Sequence, residues 1–107
     1  MRASVLKTIS VPASGTERPA VVVIAAGLPL RIMIRNVGPS LLFLSHQASS
    51  IQGSTGFAAS EVYQLPVGVS EVFVLAPKQG IYAVSQGAGG RACYAASEAI
   101  PTSSKEP

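Results

Sequence analysis

The stretch EVYQLPVGVSEVFVLAPKQGIYAVSQGAGGRACYAAS, residues 61–97, decides the fold class. It repeats one phrase, a short β-branched or aromatic run followed by a tight Pro/Gly turn. The runs are 61–65, 70–75, 81–85 and 91–96. The punctuation is Pro66-Val67-Gly68, Ala76-Pro77-Lys78-Gln79-Gly80 and Gln86-Gly87-Ala88-Gly89-Gly90. Valine, isoleucine and the aromatics suit a pleated, half-buried surface, whereas proline and glycine supply turn backbone. Short strands at such even spacing predict an antiparallel sandwich or barrel.

Outward from there, residues 30–37 show the cleanest alternation in the chain. Leu30, Ile32 and Ile34 point one way; Arg31, Met33 and Arg35 point the other. Gly38-Pro39 reads as the turn of a hairpin whose partner strand is 41–45. Further upstream, 21–25 is a continuous apolar run, suited to a strand covered on both faces and ended by Gly27 and Pro29. Residues 4–11 alternate as a strand, with Val5, Ile9 and Val11 on one face beside Lys7, and 12–19 is a breaker-rich loop. Residues 46–60 form a Ser/Gln/Ala/Gly/Thr stretch. A loop of that length in a compact domain is usually functional or mobile, and Phe57 is the aromatic expected to pin it.

The expectation is therefore an all-β chain: an antiparallel β-sandwich, jelly-roll-like, of about eight short strands and no significant helix. It divides into an N-terminal strand, arm and loop (1–19), a sandwich domain (20–97) and a flexible C-terminal tail (98–107). Strand order is not written in local pattern, so a jelly roll and other eight-strand sandwiches stay open at this point.

At 107 residues there is room for one domain, with enough buried surface for a core that needs no metal or disulfide staple. Charged residues make up only 12% of the chain, about half the roughly 25% of an ordinary soluble domain. So little charge implies a surface rich in small polar residues, one covered by another protein, or both. The net charge of +3 comes from eight scattered Lys and Arg against five Glu, with no Asp. Nucleic-acid binders concentrate such charge and interleave stacking aromatics, so no nucleic-acid partner is expected. The most apolar stretch, 20–30, is too short to span a bilayer, and no membrane partner or targeting segment is expected either.

The residues that could do chemistry are few. Acid–base work needs two ionisable groups in contrasting environments, and the candidates are Glu17, Glu61, Glu71, Glu98, Glu106 and His46. Glu61 and Glu71 flank an expected hairpin and read as solubilising strand-edge charges. The single cysteine, Cys93, rules out an intramolecular disulfide and reads as a small buried filler. One His, one Cys and no Asp make no tetrahedral or carboxylate metal set within one chain, although a trimer axis could gather three copies of His46. Gly87-Ala88-Gly89-Gly90 lacks the lysine and hydroxyl of a phosphate-binding loop and is explained by a hairpin turn. No catalytic, cofactor or metal residues are assigned, and an enzyme is not expected.

Residues 31–44, Arg-Ile-Met-Ile-Arg-Asn-Val-Gly-Pro-Ser-Leu-Leu-Phe-Leu, precede a Ser/Gly-rich loop with Gly56-Phe57. Leu65-Pro66-Val67-Gly68 and the segment Leu75-Ala76-Pro77-Lys78-Gln79-Gly80-Ile81-Tyr82-Ala83-Val84 follow. This pattern resembles the small β-sandwich proteins of tailed-bacteriophage virions. In these an Arg-Asn-x-Gly turn, a Leu-Pro-x-Gly corner and a Leu-Ala-Pro strand ending in Tyr-Ala recur. The resemblance spans residues 30–97 and implies a capsid decoration, or cement, protein. Such a protein sits on the virion exterior after synthesis in the host cytoplasm. It contacts the major capsid protein and itself, as a homodimer or homotrimer, and has no cofactor. The termini, 1–19 and 98–107, would then supply shell and neighbour contacts. A tail-fibre or baseplate receptor- or glycan-binding module, using the 46–60 loop with Phe57 and Tyr63, is the alternative. A cupin-type enzyme would need a histidine cluster where this chain has one histidine.

Overall fold

The computed structural model describes residues 6–53 and 62–98. Eight strands are present: β1 (Lys7–Val11), β2 (Ala20–Ile24), β3 (Leu30–Asn36), β4 (Leu42–Ser45), β5 (Tyr63–Leu65), β6 (Ser70–Leu75), β7 (Gly80–Ser85) and β8 (Gly90–Glu98). The one helical element among the described residues is a single 3-10 turn, Ala48–Ser50. The strands form two four-stranded sheets. The first runs β1-β8-β3-β6 and the second β2-β7-β4-β5. All pairings between strands are antiparallel.

The order follows a simple rule. The first strand pairs with the last, the second with the seventh, the third with the sixth and the fourth with the fifth. Such a pattern is a long two-stranded ribbon folded over on itself. Two further seams, β3–β8 and β4–β7, form as the ribbon rolls up. This is the jelly roll, which the repeated strand-and-turn phrase left open.

The core lies between the sheets. Ile32 and Ile34 of β3, Leu42 and Leu44 of β4, Leu65, Leu75, Ile81 and Ala92 are all essentially inaccessible. Fully burying each of the larger of these side chains contributes about 1.5–3 kcal/mol. The alternation read in β3 is observed: Arg31 and Arg35 are exposed on the opposite face from Ile32 and Ile34.

Three local expectations are corrected. First, β3 and β4 are not a hairpin: they belong to different sheets, and Gly38-Pro39 carries the chain across the core. The same holds for β5–β6 and for β7–β8, so Gln86–Gly90 is an inter-sheet arch rather than a hairpin turn. Second, β2 is covered on one face only. A bulge lies between Val21 and Val23; Val22 is buried and Val23 packs on the core, while Val21 and Ile24 are about half exposed. Third, the Glu61–Glu71 arrangement loses its basis. β5 and β6 switch sheets, and Glu61 lies outside the described residues.

The physical reason for the crossings is a polar corner around Asn36, itself inaccessible to solvent. Its Nδ2 donates to the carbonyls of Ser40 (2.7 Å) and Leu65 (2.8 Å), and its Oδ1 accepts from the Gly38 amide (3.0 Å). Its backbone amide donates to Val69 O (3.1 Å), and its carbonyl accepts from the Gly68 amide (2.8 Å). The Arg-Asn-Val-Gly and Leu-Pro-Val-Gly segments are therefore one corner, built by two chain crossings that satisfy each other's backbone. Gly38 makes the fit possible, because a Cβ there would lie 2.6 Å from the Arg91 amide nitrogen. Gly90 is pressed against Ser85 and the Val11 carbonyl in the same way.

Residues 7–11, grouped in the sequence reading with an N-terminal arm, pair with β8 from Lys7↔Tyr94 to Val11↔Gly90. They are an edge strand of the first sheet. Val5 and the 99–107 tail lie outside the described residues.

Candidate interaction surface

The polar side chains singled out by sequence are dispersed. Glu17 sits in the β1–β2 loop, where its Oε1 accepts from Gln52 Nε2 (3.4 Å). Glu71 lies on β6 opposite Ile34. There the Tyr63 hydroxyl bonds to it, and that bond, some desolvation and the carboxylate's charge together raise the phenol above its ordinary pKa. Glu106 lies outside the described residues, as does Phe57. Among the described residues, no three His, Cys, Asp or Glu come together as a metal set. Nor is any helix among them long and apolar enough to cross a membrane.

His46 is exposed, with Nδ1 3.3 Å from the Gly80 carbonyl. It lines a shallow recess of about 320 Å³ with Ser45, Gln47 and Ser50. Ser45 Oγ is engaged by the Gln47 amide (3.1 Å). The recess thus offers hydroxyls, an amide and one imidazole. It can hold a small polar group by hydrogen bonds, but acid–base chemistry asks for a second ionisable partner.

The two ends of the 46–60 loop are anchored by aliphatic side chains, while Phe57, expected to pin it, lies outside the described residues. Ile51 is fully buried and Val62 nearly so, and both pack on Phe43 and Val84 with Leu41 and Tyr82 around them. This second small core covers the outer side of β4 and β7. It explains why every residue of β4 is buried although strands normally alternate. The aliphatic pair flanking the loop was an available signal for this anchoring. Tyr63 is turned toward the open side of the sandwich, where its ring meets Phe73 edge-on (5.5 Å, 85°).

The outer side of the first sheet is built from β3, β6, β8 and β1. Register places Val74, Arg31 and Ser97 in one row and Val72, Met33 and Ala95 in the next. Arg35, Cys93 and Thr8 follow. Cys93 is corrected here. It is half-buried on this outer side, while its neighbour Ala92 takes the core position. The parity of β8 decides it, since Arg91 must face solvent and Cys93 shares its side. Val72 and Val74 are 53% and 58% exposed, so no described residue covers them as Ile51 and Val62 cover Phe43 and Val84 on the other sheet.

Comparison with known proteins adds little to this geometry. Neither a protein-family model nor a curated protein matches the chain. Among solved structures, one from work on Bacillus endospore appendages, a family of disulfide-linked pili, is similar. It is 12% identical, covers 90% of this chain and 88% of its own, and has a TM-score of 0.48. The jelly-roll assignment stands on the strand pairing itself.

Proposed function

We propose that this chain is a structural protein of a tailed-bacteriophage virion, a non-enzymatic decoration protein that binds the outer surface of the capsid shell. The observation that carries the reading is the strand order, first with last and second with seventh, which is a double-sheet roll. Viral capsid domains use this roll, as do lectins and cupins, so fold alone admits several functions. The turn motifs at 35–38, 65–68 and 75–84 favour the virion among them. The Asn36 corner supports that weighting, because two of those motifs bond directly to each other. A low charge content and valines left exposed on the outer side of a sheet fit a protein whose surface is meant to be covered. The partners under this reading are the major capsid protein and further copies of the same chain.

The test is the copy number of this chain in purified particles from its native source, by quantitative mass spectrometry against the main shell protein. Copies in simple proportion to the shell subunit are expected, because closed symmetry multiplies every surface site. A few copies per particle would move the protein to the tail or baseplate, in a receptor- or glycan-binding role. Absence from particles would end the virion reading.

A further inference from the structure

Three features outside the core invite a role: the His46 recess, the lone Cys93 and the uncovered outer side of the first sheet. The recess's buried polar side chain, Ser45, is already engaged by the Gln47 amide, and a lone thiol is not a site. The sheet carries more.

We infer that the outer side of the β1-β8-β3-β6 sheet docks onto an acidic, apolar-centred patch of the shell protein; this rests on the decoration reading above. At its centre Met33 lies between Val72 and Ala95 in register, with Val74 beside them. Around that centre stand Arg31, Arg35 and Arg91, all exposed. Arg31 and Arg35 are four residues apart on β3, one on each side of Met33, which sets their Cα atoms about 13 Å apart on the same face. Of the carboxylates in the described residues, Glu17 is in the β1–β2 loop, Glu71 is on the inward register of β6, and Glu98 ends β8 in register with Leu30, on the parity of Ala92 and Ala96 rather than of Arg31. An apolar centre ringed by one sign of charge is complementary to an apolar centre ringed by the other. Guanidinium groups suit the task because they bind carboxylates in a two-point fork.

The alternatives fit less well. A second copy meeting this surface across a two-fold axis would bring arginine against arginine. Four strands about 4.8 Å apart and five to nine residues long supply roughly 400 Å². That is well short of the roughly 800 Å² per partner of a stable interface, so self-pairing here has neither charge nor area in its favour. Nucleic acid would want stacking aromatics, but Phe73 and Tyr94 both pack on the core. The small area also means that this contact works alongside others, such as the termini or neighbouring copies, and is sensitive to salt.

Cys93, the chain's single cysteine, is a native reporter in the middle of this surface. The experiment mixes the full-length protein with purified shells lacking it. It compares the rate of Cys93 alkylation by N-ethylmaleimide in free and shell-bound protein. It also compares shell binding of wild type, R31E/R35E and the remote charge control K78E. Binding should slow Cys93 alkylation at least about tenfold. R31E/R35E should lose about tenfold or more in affinity while K78E stays within about twofold. Wild-type protein that binds shells with Cys93 still open, and R31E/R35E binding equally, would overturn this surface and leave the decoration role standing. No wild-type binding to shells would overturn both. Cys93 protection by self-association, or by phosphatidylserine vesicles instead of shells, would overturn the shell partner. If R31E/R35E fails to fold, the wild-type protection measurement decides alone.

Discussion

The outer sides of the two sheets are finished in opposite ways. The second sheet wears a cover of its own chain, because Ile51 and Val62 close over Phe43 and Val84. The first sheet leaves Val72 and Val74 bare beside three arginines. Both sheets share one core and one corner, so the contrast lies in what covers their outer sides. A surface that folding does not need to expose, yet leaves uncovered, is where an outside partner has most to gain by burial.

This contrast can be broken by substitution, beginning at the corner both sheets share. Asn36→Ala removes three side-chain hydrogen bonds and strands the buried Leu65 carbonyl and Gly38 amide and the part-buried Ser40 carbonyl. A loss of about 3–4 kcal/mol is expected in urea unfolding, a large part of a typical domain's total. Ile51→Ala probes the cover. It should cost about 2–4 kcal/mol, with faster proteolysis near residues 51–62 and little effect on β3 or β8 amide exchange. An unchanged midpoint would mean that the cover contributes nothing to folding.

On the bare side the expected effects are small. Val72→Ser with Val74→Ser should shift stability by no more than about 0.5 kcal/mol each while reducing adhesion to apolar resin. A loss comparable to that of Ile51→Ala would show the surface to be covered in solution. Tyr63→Phe gives the smallest effect and tests the seam between the sheets. Tyr63 has a raised folded-state pKa, so its contribution is fully present below the unfolded value near 10 and is lost as pH rises through the folded one. Wild type and Tyr63→Phe should therefore converge in stability above about pH 10, and parallel curves across that range would remove the Glu71 bond from the account.

The two continuous apolar runs show what sequence can carry. Residues 41–44 and 21–25 look alike, yet β4 is covered on both sides and β2 on one. The difference comes from a segment that closes over β4 and stops short of β2, and neither run encodes it. β3 was legible because its arginines and isoleucines alternate without exception. The sheet assignment of consecutive strands was not, because Gly-Pro and Pro-x-Gly turns serve hairpins and crossings equally. Asn36 was the available clue, a polar residue ending a strand whose alternation places it inward. The interaction surface was half legible: Arg31, Met33 and Arg35 were placed together, but Val72 and Ala95 join them only through pairing across the chain.

The pairing of the first strand with the last has a consequence for how the protein is made. β1 leaves the ribosome early and finds its hydrogen-bonding neighbour only when residues 90–98 have followed. β3 waits for the same strand, as β2 waits for β7. Strand edges therefore stay unpaired until β8 has emerged, and the sheets close only then. A message truncated before the codon for Gly90 yields no smaller folded version of this protein, only a chain with open edges for chaperones or proteases to handle.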